Sequence, residues 1–225
     1  VYNQDQRSRD YGKIKDCYRP GHADYTFDAK YGIRDYRGGG RSSARETIGR
    51  VAAGAIAAKL LKEMGISILT YTKSIGPVTI DPCHFDATQI SQNPVAMPDA
   101  HAAKEAQTFL DCCIAQQDSS GGIIECVITG VPAGIGDPVF DKLDASLAKA
   151  IFSIGAVKGF EIGDGFAAAT ARGSEIMIPC SSGKRSADEA TNHAGGILGG
   201  ISDGSPIVYR AAVKPLHPLR SYNIP

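Results

Sequence analysis

Residues 19–50 read RPGHADYTFDAKYGIRDYRGGGRSSARETIGR, from Arg19 to Arg50. This stretch gathers a histidine, several arginines, a triple glycine and a helix start. Gly38-Gly39-Gly40 is too flexible for a helix or strand interior, and glycine lets the backbone take positive φ and approach a ligand closely. Arg41, Ser42 and Ser43 follow, and Ser43 with Glu46 has the S-x-x-E spacing of a capping box. The spacing predicts a helix from about Ala44, carried by Ile48, Val51, Ala52, Ala55, Ile56 and Leu60 and stopped near Gly65. A flexible loop thus delivers arginine and hydroxyl groups to a helix N-terminus. Backbone N–H groups and the helix dipole favour an anion there. The same features also suit a well-capped helix whose arginines are merely solvated. The glycine run matches neither the Walker pattern nor the G-x-G-x-x-G dinucleotide loop.

Composition narrows the function classes. The chain has 225 residues, 43% of them hydrophobic, which suffices for one substantial core or at most two small domains. With 24 basic and 24 acidic side chains it is formally neutral, which argues against nucleic acid as a partner. The positive groups are local instead: Arg7, Arg9, Lys13, Lys15, Arg19, Arg34, Arg37, Arg41, Arg45 and Arg50 fall in the first fifty residues. That concentration suits a pocket for a small polyanion, with scattered surface charge as the competing explanation. The six cysteines, Cys17, Cys83, Cys112, Cys113, Cys126 and Cys180, form no C-x-x-C pair, so free thiols in a reducing compartment are expected and no metal site is. His84 beside Cys83, and His101, read as surface histidines. No run of eighteen or more apolar residues is present, so no membrane segment is expected, and Val1 does not open a signal peptide. The missing initiator methionine points to a processed product or a partial chain.

Beyond the opening helix, Ile66–Thr72 reads as a strand. Lys73–Pro98, rich in proline, reads as an irregular connection. Ala100–Gln117 is a predicted helix, Ile123–Thr129 a strand, Gly130–Pro138 a turn-rich loop and Val139–Ile154 an amphipathic helix with Phe140, Leu143, Leu147, Ile151 and Ile154 on one side. Phe166–Arg172 and Ile207–Val213 are predicted strands, with a polar segment over Gly173–Ala190. Thr191–Ser202 holds four glycines, which suit a ligand-facing loop or a plain hairpin equally. The pattern is mixed α/β with antiparallel character and no internal repeat.

Several blocks carry a family resemblance. RPGHADYT (Arg19–Thr26), KYGIRDYRGGGRSSARET (Lys30–Thr47), RVAAGAIA (Arg50–Ala57), GVPAGIGDPVFDKLDA (Gly130–Ala145), AVKGFEIGDGF (Ala156–Phe166), NHAGGILGGIS (Asn192–Ser202) and AAVKP (Ala211–Pro215) closely resemble chorismate synthase, the last enzyme of the shikimate pathway and of aromatic amino acid biosynthesis. The resemblance implies an α/β (α+β) chain with a β-α-β sandwich fold, helices lying between two largely antiparallel sheets. It also implies a single domain over residues 1–225, a cytoplasmic homotetramer, and a lyase acting on 5-enolpyruvylshikimate 3-phosphate. That enzyme removes phosphate by 1,4-anti elimination and requires reduced FMN, with NADPH serving only as the flavin reductant and no net redox change. The substrate carries a phosphate and two carboxylates, and an arginine-rich pocket lowers the cost of gathering those charges.

By the same resemblance, Arg41, Ser42 and Ser43 stand at positions that contact FMN. Ser43 and Arg45 stand where the family meets substrate, and Arg19 is a further anion contact. His22 matches one of two histidines tied to catalysis, with the role of protonating the leaving phosphate. Gly155, Ala156, Gly199, Lys214 and Pro215 fall at flavin positions, although Gly155 replaces a common Asn and loses its side-chain contact. The G-E-S-H-G and R-H-D-P-C motifs of the family are absent, so the chain resembles the middle of the enzyme. The alternative is an inactive flavin- or phosphate-binding fragment. After Pro215 the family usually continues Thr-Pro-Ser-Ile, whereas this chain reads Leu216-His217-Pro218-Leu219-Arg220. A single-base deletion converts one reading into the other, so residues 216–225 read as an aberrant tail.

Overall fold

The structure is a computed structural model that describes residue 12 and residues 15–176 and 191–215. The proposed aberrant tail, Cys180 and most of the polar segment after Gly173 lie outside the described residues. β-branched and aromatic residues in the ILTYT and IIECVIT runs favour extended backbone. They build five antiparallel strands: β1 (Ser67–Ile75), β2 (Val78–Thr79), β3 (Gly122–Thr129), β4 (Val157–Ile162) and β7 (Ile207–Val213), in the spatial order β2-β1-β3-β7-β4. β5 (Ile197–Leu198) and β6 (Ile201–Ser202) form a separate two-stranded ribbon. The helices are α1 (Asp24–Tyr31), α2 (Thr47–Glu63), α3 (Ala100–Ala115) and α4 (Leu143–Phe152). The α+β class expected from the family therefore holds. Among the described residues there is one large sheet, and the second sheet of the expected sandwich is not among them.

One face of the sheet carries the core. Tyr71 of β1 packs with Ile80, Met97 and the small side chains Ala102, Ala103 and Ala106 of α3. Alanines along one side let α3 lie close. Its N-terminus is capped by Asp99, whose carboxylate accepts from the His101 and Ala102 amides at 2.9 and 3.1 Å. The same face bears a polar row. Tyr71 pairs with Glu125, Glu125 with Arg210, and Arg210 with Glu161 across four strands. The Tyr71 hydroxyl donates to Glu125 Oε1 at 2.5 Å and Lys73 Nζ to Glu125 Oε2 at 2.5 Å. Arg210 donates to Glu161 Oε1 at 2.5 Å and also to the Gly163 carbonyl. Burial opposes ionisation of Glu125, but hydrogen bonds from Lys73 and Tyr71 and the charges of Lys73 and Arg210 outweigh it and hold its carboxyl below the usual range.

The structure redraws several sequence expectations. β1 continues past Thr72 to Ile75 through a register shift, and β2 turns back on it, so part of the expected irregular connection is a hairpin. The predicted helix from Val139 begins only at Leu143, because Asp137 and Asp141 bridge first and leave Phe140 91% exposed. The predicted strand over Phe166–Arg172 is instead a 3-10 turn at Gly165–Ala169, and the strand lies earlier, at Val157–Ile162. Glycines at 155 and 159 masked it. No helix was expected at Asp24–Tyr31, whose apolar pattern is weak. The four-glycine segment is a hairpin: Gly199 and Gly200 sit at φ 60 and 87, the left-handed pair a two-residue turn requires. α2 runs as predicted, yet none of its residues is buried, and Val51, Ile56 and Leu60 are each more than 60% exposed.

Candidate functional site

The triple glycine adopts φ 129, 88 and 49 at Gly38, Gly39 and Gly40, a run of left-handed backbone closed to other residues without strain. The turn is locked from within. The Ser42 amide and hydroxyl both donate to the Gly39 carbonyl, at 2.8 and 2.6 Å, and the Ser43 amide to that of Gly40 at 3.1 Å. Ser43 caps the next turn, but not as a capping box. Its hydroxyl accepts from Arg45 N at 3.3 Å, and a 3-10 turn over Ala44–Glu46 precedes α2. The S-x-x-E spacing marked the helix start correctly and the partner wrongly, because the tighter turn brings N–H groups in one residue early.

The loop before α1 is held by charge. Arg19 clamps Asp24 through its amide (2.9 Å), Nε (2.9 Å) and Nη2 (2.8 Å). Arg34 adds a contact from Nη1 at 2.9 Å and reaches Asp28 at 3.4 Å. Asp24 is 3% exposed, and the Arg19 hydrogen bond, against burial, holds its carboxyl at about 2. Two of the arginines noted near the N-terminus are therefore committed inside the fold. Beside this clamp stands His22, exposed, with Nδ1 donating to the Pro20 carbonyl at 3.0 Å. A carbonyl only accepts, so Nδ1 carries hydrogen and Nε2 faces outward to work with a ligand.

Two long-range contacts bring a second wall to this loop. Lys214, just past β7, donates from Nζ to the Gly21 carbonyl at 2.7 Å and from its amide to the Ala156 carbonyl at 2.9 Å. Arg50 of α2 donates to Ser153 Oγ at 2.9 Å and to the Ser153 carbonyl at 2.8 Å, just past α4. The result is a cleft of about 620 Å³ between the Arg19–Ala44 segment and residues 152–158. Its apolar wall is Phe152, Ile154 and Val157, and its polar side carries Arg19, His22, Ser42, Ser43, Lys158 and Lys214. No carboxylate lines it. A space of that size with an apolar wall, few polar groups and uncompensated positive charge fits a flat, anionic small molecule.

A family model described as chorismate synthase matches residues 1–223. The chain is 61% identical over 220 residues to chorismate synthase of Agathobacter rectalis and 64% identical over 218 residues to that of Lachnoclostridium phytofermentans. Each alignment covers 96% of this chain and 59% of the relative. The chain belongs to the chorismate synthase family. A crystal structure of chorismate synthase superimposes with a TM-score of 0.76 at 33% identity, covering 86% of this chain and 62% of the other. The chain thus spans about 59% of the length of the curated chorismate synthases it matches.

Of the residues that resemblance to chorismate synthase singles out, Arg19, His22, Ser42, Ser43, Gly155, Ala156 and Lys214 come together in the cleft. Arg41, Arg45, Gly199 and Pro215 do not line it. Arg41 and Arg45 are exposed beyond the glycine turn, and Gly199 sits at the tip of the β5–β6 ribbon. Sequence reasoning missed the apolar wall, the Arg50 clamp and Lys158. The available signal for the last was a lysine set between two glycines in an otherwise apolar run. Among the described residues, no cluster of three or more His, Cys, Asp or Glu side chains is placed to hold a metal, and no helix is long and apolar enough to cross a membrane. The described cysteines are free thiols.

Proposed function

We propose that the chain is a single-domain part of a chorismate synthase that eliminates phosphate from 5-enolpyruvylshikimate 3-phosphate to give chorismate in a cleft that also binds reduced FMN. The observation that carries this is the cleft itself, with cations and hydroxyls facing an apolar wall and no carboxylate. The donor set fits the flavin: the apolar wall suits a planar ring, and the Ser43 hydroxyl and the remaining N–H groups of Lys214 are donors for its phosphate. When held there, reduced FMN would supply electron density for the elimination with no net redox change, with NADPH as its outside reductant.

The remaining chemistry belongs to the chain's own side chains. His22 is anchored through Nδ1, so when protonated it presents Nε2–H to the departing phosphate oxygen and neutralises charge as the C–O bond breaks. Arg19, clamped on Asp24, accepts from the His22 amide at its own carbonyl at 3.2 Å and so positions the histidine. Lys214 joins the two walls and orients the anion between them. The family's usual setting, a cytoplasmic homotetramer, completes the proposal.

Flavin fluorescence during FMN titration with 5-enolpyruvylshikimate 3-phosphate present, followed by a chorismate assay, tests it. Saturable binding is expected, and His22→Gln should keep binding while cutting chorismate formation about 100-fold. Absence of saturable binding by the unmodified protein refutes the assignment.

A further inference from the structure

Consecutive residues of a regular strand project to opposite faces of the sheet. At the start of β4 this rule is broken, because Val157 and Lys158 both line the cleft. The register explains how. Val157 pairs with Val213, but Gly159 pairs with Ala212, so Lys158 is the extra residue of a β-bulge. Just before it, Ala156 is held at φ 69, a left-handed conformation disfavoured for a residue with a Cβ. That backbone is kept in place by the Lys214 amide, which donates to the Ala156 carbonyl at 2.9 Å. Two adjacent irregularities together turn a strand lysine toward the cavity.

The other cations of the cleft are tethered within the chain. Arg19 clamps Asp24 and Lys214 Nζ holds the Gly21 carbonyl. Lys158 is exposed and, among the described residues, makes no hydrogen bond or ion pair. Its three N–H donors and full charge are therefore available to a ligand. We propose that Lys158 is an oxyanion-binding residue of the cleft, placed by the β4 bulge to grip a phosphate or carboxylate of the bound ligand from the wall opposite Ser42 and Ser43. This rests on the functional assignment above and adds a residue to it.

The two sources of such an anion, the flavin phosphate and the substrate's phosphate or carboxylates, separate by calorimetric titration of each ligand. Lys158→Gln should weaken one of them about tenfold and flatten its salt dependence, while Lys158→Arg stays close to the unmodified protein. Loss confined to FMN assigns the flavin phosphate, and loss confined to 5-enolpyruvylshikimate 3-phosphate assigns the substrate. In the unmodified protein, acetylation of Lys158 followed by mass spectrometry should be slowed by the same ligand, a readout that needs no variant to fold. If the unmodified protein binds both ligands while Lys158→Gln binds both as tightly and neither ligand protects Lys158, the proposal is overturned. If the unmodified protein binds neither ligand, the functional assignment fails first and takes this residue's role with it.

Discussion

Two groups of charges in this molecule are built on opposite principles. Across the sheet, Glu125 collects a tyrosine hydroxyl, a lysine and an arginine, and Arg210 reaches Glu161 as well. Every charge in that row has a partner of opposite sign. In the cleft, Lys158 and Lys214 stand beside His22 with no carboxylate among the lining residues. The row offsets the desolvation cost of burying Glu125 within the chain itself. The cleft leaves positive charge uncompensated, which is favourable only when an anion arrives. The clamp of Arg19 and Arg34 on Asp24 lies between the two, a paired buried carboxylate that shapes the rim of an unpaired site.

The largest effect should come from breaking the row. Glu125→Ala leaves Lys73, Arg210 and the Tyr71 hydroxyl without their common acceptor and should cost about 3 kcal/mol or more in urea unfolding. A loss under about 1 kcal/mol would place the row with ordinary surface ion pairs instead.

Asp24→Asn comes next, at about 2 kcal/mol near pH 7. Asp24 titrates at about 2 in the folded chain, below its usual range, so the unfolded chain takes up the proton first as pH falls. The stabilisation is therefore present above about pH 4 and is lost between about pH 4 and pH 2. Unfolding curves across that window should fall more steeply for the unmodified protein than for Asp24→Asn. Parallel curves would remove Asp24 as the rim's anchor.

The smallest stability change should follow Arg50→Ala, about 1 kcal/mol, because its donors to Ser153 are exposed. Its effect on the cleft should be larger than its effect on the fold. With the two walls no longer tied, FMN affinity should drop about twentyfold, while the melting temperature falls by only about 2–4 °C. An affinity that follows stability alone would show that the walls meet without this clamp.

Much of the fold could be read from the chain. The glycine turn, the α2 start within one 3-10 turn, α3, β3 and β7 follow from local spacing and β-branched content. β4 could not, because Gly155 and Gly159 look like breakers until β7 is laid beside them. Phe140, 91% exposed, stood on the apolar side of the predicted helix, since apolarity alone does not say which side of an element meets the rest of the molecule. In the site, the arginines illustrate the same limit. Arg34 and Arg19 belong to the basic concentration that suits a polyanion pocket, yet both hold Asp24, and Arg41 and Arg45 stay outside the cleft.

The sequence by itself determined the family, the glycine turn and the histidine beside it, because these depend on residue identity and on neighbours within a few positions. Tertiary structure alone decided which cations face a ligand. That choice depends on contacts such as Lys214 with Gly21 and Arg50 with Ser153, made between residues more than a hundred positions apart. It depends too on a bulge that exists only once β4 is paired with β7. A charge is available to a ligand only when the folded chain has not already neutralised it, and no local pattern records that.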